Sequence, residues 1–257
     1  GLDATLADLQ ASLDDTLMHL ADAEESDQGL YFFRLALYHE DMHAEAAVHM
    51  AQTLGIGLGP QAAGASTGPA PTTLPDGHEI AIDATEVRLG WDGPGFAFDN
   101  ELGPHSVALE AFRIDAMPVS WSRFLPFVEA GGYRQARWWS PAGWDWRCRS
   151  GTQQPRHLRR HGALWERHQH GHWLALRIQD PAVHLNAHEA EAWCRWAGRR
   201  LPTEAEWTAA ARHPDWQGMS VWEWTASRFE PFPGFQPHPY RDYSAPWFDG
   251  RPVLKGA

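Results

Sequence analysis

The chain has 257 residues, 43% hydrophobic and 21% charged, the composition of an ordinary globular protein. A formal net charge of −12, with Lys255 as the single lysine and no polybasic run, argues against nucleic acid and anionic membrane as partners. Cys148 and Cys194 are the only cysteines, no apolar run has the length of a membrane span and no signal peptide is evident, so a cytoplasmic protein is expected.

Leu2, Leu6, Leu9, Leu13, Leu17 and Leu20 recur at intervals of three and four, which predicts an amphipathic helix over 2–23. Ser26-Asp27-Gln28-Gly29 is a break, with Ser26 or Asp27 able to cap a second helix over 29–54 that ends before Gly55. Two such helices cannot bury both apolar faces alone, so they read as half of a four-helix bundle. The chain opens on Gly1 without methionine and stops at Lys255-Gly256-Ala257, so residues are expected to be missing at both ends.

The second helix carries LYFFRLALYHEDMHAEAAVHM, with His39 and His43 four apart. That spacing brings two imidazoles within reach of one metal ion. Phe32, Leu35, His39, Met42, His43, Ala46 and Met50 share one face, so the histidines are expected to point into a packed interior. Two readings stand: a hydrogen-bonded core pair, or a metal site with Glu40 and Glu45 beside it. His39-Glu40-x-x-His43 also matches the zinc-peptidase pattern, with Glu40 as base. Against that, Ala46-Ala47 continue the helix and rotate His49 off the ligand face.

Gly55 to Gly77 is rich in Gly, Pro, Ala and Thr and reads as a linker. From His78 the pattern changes to short strands (EIAID, EVRLG, HSVALEAFRID), interrupted by helices near 120–130 and 187–197. The expected organisation is therefore α+β: a helical part over 1–54, a linker over 55–77 and a second domain over 78–257. Long loops carrying Trp, Pro and Gly join the elements, and long ordered loops usually serve function. Fifteen tryptophans and fifteen histidines are unusual counts.

Three stretches, 90–134, 181–212 and 221–235, resemble the formylglycine-generating-enzyme and sulfatase-modifying-factor domain, a variant of the C-type lectin fold. RLPTEAEW followed by VWEWT is the specific phrase. Within it Gly198 ends one helix, and Thr203 with Glu206 forms a capping box for the next. A fold signature says nothing of chemistry. Formylglycine-generating enzymes use paired cysteines near the end of the domain; here Cys148 reads as a loop residue and Cys194 as core, so that activity is not expected.

The HxxxH helix joined to this domain resembles the sulfoxide synthase family of ergothioneine biosynthesis, whose helical part is a DinB-like bundle. YFFRLALYHEDMHAEAA and PYRDYSAPWFDG look nearest its selenoneine-forming branch. The resemblance implies a non-haem Fe(II) held by three histidines: His39, His43 and a third expected before residue 1, with His19 incidental. It implies hercynine, a trimethylated histidine, O₂ and a selenosugar or thiol donor, with the chalcogen joined to C2 of the imidazole. Trp138, Trp139, Trp144 and Trp146 are the expected aromatic wall for the quaternary ammonium, while Trp222 and Trp224 are expected in the scaffold. Met42 stands where many relatives hold the imidazole with glutamine. Tyr243 matches the family's proton donor, with Tyr240 as the alternative. A non-catalytic lectin-like module is the remaining reading, and it leaves the HxxxH helix unexplained.

Overall fold

The computed structural model describes residues 1–58 and 74–256. Most of the expected linker lies outside the described residues. Two long helices come first, α1 (Leu2–Ala21) and α2 (Tyr31–Leu54). α2 stops at Gly55, whose φ of +69° gives the left-handed cap that glycine adopts at least cost. Ser26 and Asp27 do not cap it: Ser26 accepts the N–H of Gly29 at 3.0 Å, and Asp27 pairs with Arg34 at 2.7 Å.

Two antiparallel pairs follow, with the inner pair β2 (Thr85–Leu89) with β3 (His105–Leu109) nested in sequence within β1 (Glu79–Ile82) with β4 (Phe112–Asp115). Helix α3 (Trp121–Glu129) leads to α4 (Pro141–Ser150) and then to a meander of β5 (Leu158–His161), β6 (Leu164–Gln169) and β7 (His172–Ala175). α5 (Ala187–Trp196) and α6 (Glu204–Ala210) precede a last antiparallel pair, β8 (Glu223–Arg228) with β9 (Pro252–Lys255). The stretch expected to be loop between α3 and α5 thus holds a helix and a three-stranded sheet, and Cys148 lies on α4.

The main core gathers Trp121, Phe124 and Phe127 of α3, Tyr133, Trp139, and Trp193 and Cys194 of α5. A second cluster packs Ala205 and Ala209 of α6 on Val87, Leu89 and Val107 of the β2–β3 pair. Thr203 accepts the N–H of Glu206 at 3.2 Å and the Glu206 carboxylate accepts the N–H of Thr203 at 2.7 Å, so the capping box read from sequence is present.

The two helices expected as half of a four-helix bundle are present, and the other half is not among the described residues. α1 buries none of its residues, and its six leucines are all exposed. α2 likewise leaves Phe32, Leu37 and Met50 in solvent. An apolar stripe with no second layer against it stays wet. No described helix is long and apolar enough to cross a membrane.

Candidate active site

α2 meets the mixed region along one stripe. Tyr31, Tyr38, Met42, Glu45, His49 and Gln52 fall at intervals of seven, four, three, four and three, the spacing of one helical face. The Tyr31 ring lies 5.1 Å from Phe96 and 4.6 Å from His238, and the Tyr38 ring lies 5.0 Å from Phe96. Glu45 accepts the indole N–H of Trp222 at 2.5 Å. Gln52, 4% exposed, donates to the carbonyl of His168 and accepts the N–H of His170, both at 2.8 Å. Asp27 fixes the other end by accepting the N–H of Gly95 at 2.7 Å.

His39 and His43 sit at the edge of this stripe, with ring centroids 4.6 Å apart. His39 is half-buried and His43 is exposed, so the packed interior expected around the pair is not formed among the described residues. Their face continues through Phe32 and Met50, which nothing covers among the described residues. The Tyr240 ring lies 6.0 Å from that of His39.

Tyr243 comes from the 239–248 loop, and its hydroxyl donates to the Met42 sulfur at 3.7 Å, a weak hydrogen bond. Phe98 stacks on the Tyr243 ring at 4.4 Å and 9°. Asp99, 2% exposed, holds the loop from beneath. Its carboxylate accepts the Ser244 hydroxyl and the N–H of His238, the latter at 3.2 Å. Burial, then the negative charges of Glu101 and Asp99, raise the Tyr243 pKa far above that of a free phenol. Tyr31, in the same aromatic cluster, is pushed up to about 12, chiefly by burial. Both phenols stay protonated at neutral pH.

The tryptophans divide differently from expectation. Trp139 is buried with its N–H spent on the carbonyl of Gly132 at 3.0 Å, while Trp138, Trp144 and Trp146 pack against the same core. None of the four lines the cavity of about 750 Å³ or the one of about 180 Å³ that α2 borders. They supply packing for an irregular domain, where large flat side chains fill the most volume. Trp222, expected in the scaffold, is 46% exposed and faces α2 through Glu45. Trp224 is scaffold as expected, with its N–H on the carbonyl of Leu185 at 2.9 Å. Phe96, Phe98, Asp99 and Gln52 escaped the sequence reading. The mixed aromatic and polar stripe on α2 was their available signal, since it marks a face too polar for a core and too regular for solvent.

A cavity of about 750 Å³ opens between the C-terminal half of α2, at Glu45 and His49, and the domain, at Trp222 and Trp224. His39 and His43 do not line it. His49 is six residues beyond His43, about 9 Å along the helix axis. In the cavity wall burial raises the Glu223 carboxyl to about 7 against the pull of the Met219 N–H at 3.1 Å.

Two neutral imidazoles at i and i+4 suit a divalent transition metal and fit two positions of a three-histidine set. Among the described residues no group of three or more His, Cys, Asp or Glu is arranged to hold an ion. The pair therefore fits a bound iron in part, and no described residue supplies the third position. Cys148 is exposed, and Cys194 is a buried thiol pushed up to about 12 by burial, so no reactive cysteine pair exists.

The sequence pattern of the Sulfatase-modifying factor enzyme 1-like domain matches residues 65–228, more than half of the chain. The chain belongs to that domain family. Its sulfatase-modifying-factor domain accounts for the strand pairs, α3 to α6 and β8. Relatives named hercynine oxygenase are similar over nearly the whole chain. The protein of Mycolicibacterium thermoresistibile is 32% identical over 93% of this chain and 63% of its own length. That of Mycolicibacterium smegmatis is 33% identical over 96% of this chain and 67% of its own length. The Formylglycine-generating enzyme of Streptomyces coelicolor is 34% identical over 59% of this chain and 52% of its own length. The chain spans about two thirds of the length of the hercynine oxygenases it matches.

Proposed function

We propose that the protein is an O₂-dependent oxidoreductase of the ergothioneine type, joining a chalcogen donor to C2 of the hercynine imidazole with Fe(II) as cofactor. The similarity to hercynine oxygenases across both halves supports the substrate. The observation that carries the reading is that two parts of the chain converge. The His39 ring on α2, paired with that of His43, lies 6.0 Å from Tyr240 in the domain loop, and the Tyr243 hydroxyl from the same loop reaches the sulfur of Met42, the residue before His43.

His39 and His43 would hold the iron, which supplies the one-electron chemistry that O₂ requires. The overall change balances: C2–H and chalcogen–H are exchanged for one carbon–chalcogen bond, one oxygen atom goes to the chalcogen, and the other leaves as water. Tyr243 holds a proton on its hydroxyl at neutral pH and can donate it toward the space above Met42. Phe96 and Phe98 form an aromatic cluster with Tyr38 on the inner side of that space, and Phe98 stacks on Tyr243. Met42 offers a soft apolar surface to the imidazole substrate rather than a hydrogen bond.

A selenosugar is the proposed donor, on the nearness of YFFRLALYHEDMHAEAA and PYRDYSAPWFDG to the selenoneine branch; γ-glutamylcysteine and cysteine are the sulfur alternatives. The free cysteines accord with a cytoplasmic setting. The test is an oxygen electrode with Fe(II) and hercynine present. Oxygen consumption should begin only when a selenol or thiol donor is added, and fastest with the selenosugar. Hercynine-independent consumption at the same rate with every donor would overturn the reading.

A further inference from the structure

A second cavity, about 180 Å³, lies between the end of α2, the end of β6 and the 176–186 loop. His49, His157, Arg167, His168, His170 and His184 line it, and no Asp or Glu is on its wall. The His157 ring stacks on His168 at 5.9 Å and meets the edge of His184 at 5.0 Å. Two polar atoms here are buried without a hydrogen-bond partner, Nδ1 of His170 and Nε of Arg167. The guanidinium Nε is a donor and the imidazole Nδ1 a donor or an acceptor according to tautomer; buried polar atoms without partners are costly, and natural structures rarely keep them.

We propose that this cavity binds a small oxyanion, a carboxylate or a phosphate group. A guanidinium and several imidazoles, each with at least one N–H, make a wall rich in nitrogen donors that an acceptor-rich, negatively charged group can satisfy together. The charges facing the cavity have been assigned elsewhere. Glu45 of α2 is 3.5 Å from His49, and Asp180 takes Arg167 at 3.1 Å and Arg177 at 3.4 Å. Arg156, next to His157 in the chain, adds further positive charge. Burial, then the charges of Arg156 and His168, hold His157 below the ordinary imidazole range. His184 is pushed down in the same direction, by burial and then by His157, His49, His170 and Arg167. An anion reverses those pressures, so its binding takes up a proton and tightens as the pH falls. Its position beside the Gln52 clasp would tie α2 to β6.

The test is an imidazole ¹H–¹⁵N spectrum of the intact protein labelled at histidine, titrated with inorganic phosphate and, separately, sodium acetate at constant ionic strength. Saturable shifts of His157, His168 and His184 are expected. Affinity should be higher at pH 6.5 than at pH 7.5 by up to about tenfold for one proton taken up. Tighter binding of phosphate identifies a phosphate group as the natural occupant, and tighter binding of acetate identifies a carboxylate. Arg167→Gln would leave buried Asp180 with the exposed Arg177 alone and can unfold the protein, so His184→Asn, on the rim, is the variant; it should weaken binding and flatten the pH dependence. No saturable shift with either anion, equal shifts with chloride, or unchanged affinity in His184→Asn would overturn the proposal.

Discussion

The hydroxyl of Tyr243 lies 3.7 Å from the sulfur of Met42, the residue that precedes His43. A phenol carried by one half of the chain is thereby aimed at the helix turn that carries the histidine pair. Asp99 and Phe98 fix it there, one by hydrogen bonds to the loop and the other by stacking. The placement is built by side chains from three separate stretches of sequence.

If Tyr243 donates the proton, Tyr243→Phe removes it and keeps the ring on Phe98. Iron and hercynine binding should be unchanged, while turnover to the C2-linked product falls by about 10² to 10⁴. Oxygen can then be diverted to plain oxidation of the donor. Product formation at the wild-type rate would pass the role to Tyr240, whose ring is 6.0 Å from His39.

The histidine pair makes a separable prediction. His39→Ala and His43→Ala should each abolish stoichiometric iron in anaerobically prepared intact protein, as read by metal analysis. Neither should unfold it, since His43 is exposed and His39 half-buried. Stoichiometric zinc that iron cannot replace with recovery of activity would instead favour the HExxH peptidase reading.

Gln52 tests the docking of α2. Its side chain satisfies the carbonyl of His168 and the N–H of His170 at once. Gln52→Ala leaves both unpaired in a buried place and should cost about 2–3 kcal/mol. Hydrogen exchange should rise in the last turns of α2 and in the β6–β7 turn, ahead of the main core. Uniform loss of protection across the domain would show that the clasp is not local.

Glu223 gives the pH dependence. Its folded pKa is raised from 4.5 to about 7 by burial. A raised pKa means that the stabilising protonated form is complete below the unfolded value and is lost as pH rises through the folded one. Stability should therefore fall between pH 4.5 and pH 7 by up to about 3 kcal/mol. Glu223→Gln should remove that slope and melt higher than the parent at pH 8. Parallel melting curves for the two proteins from pH 5 to pH 8 would contradict it.

Much of this site could be read from residue order. The His39–His43 spacing, the RLPTEAEW capping box and the PYRDYS loop each carry a local physical rule. The four tryptophans from 138 to 146 pack on the core, which the sequence does not tell apart from an aromatic wall, because an indole wall and an indole core share one composition. α4 was missed because Asp145, Arg147 and Arg149 interrupt any apolar period, and β5 to β7 because Arg and His occupy both faces of LRRH and LWERHQ. The docking stripe from Tyr31 to Gln52 mixes phenols, a carboxylate and an amide, which an apolar pattern passes over. The face shared by His39, Phe32 and Met50 was expected to be buried, and no described residue covers it, because burial depends on a second layer and not on the helix alone.

The most direct measurement uses hercynine deuterated at C2. The intact protein is incubated with Fe(II), O₂ and the donor panel, and the products are read by mass spectrometry. Bond formation at C2 requires a product that carries the chalcogen donor and has lost the deuterium, with the yield depending on His39 and His43. Recovery of hercynine with its deuterium in place under every donor, or an adduct that retains it, would contradict the account.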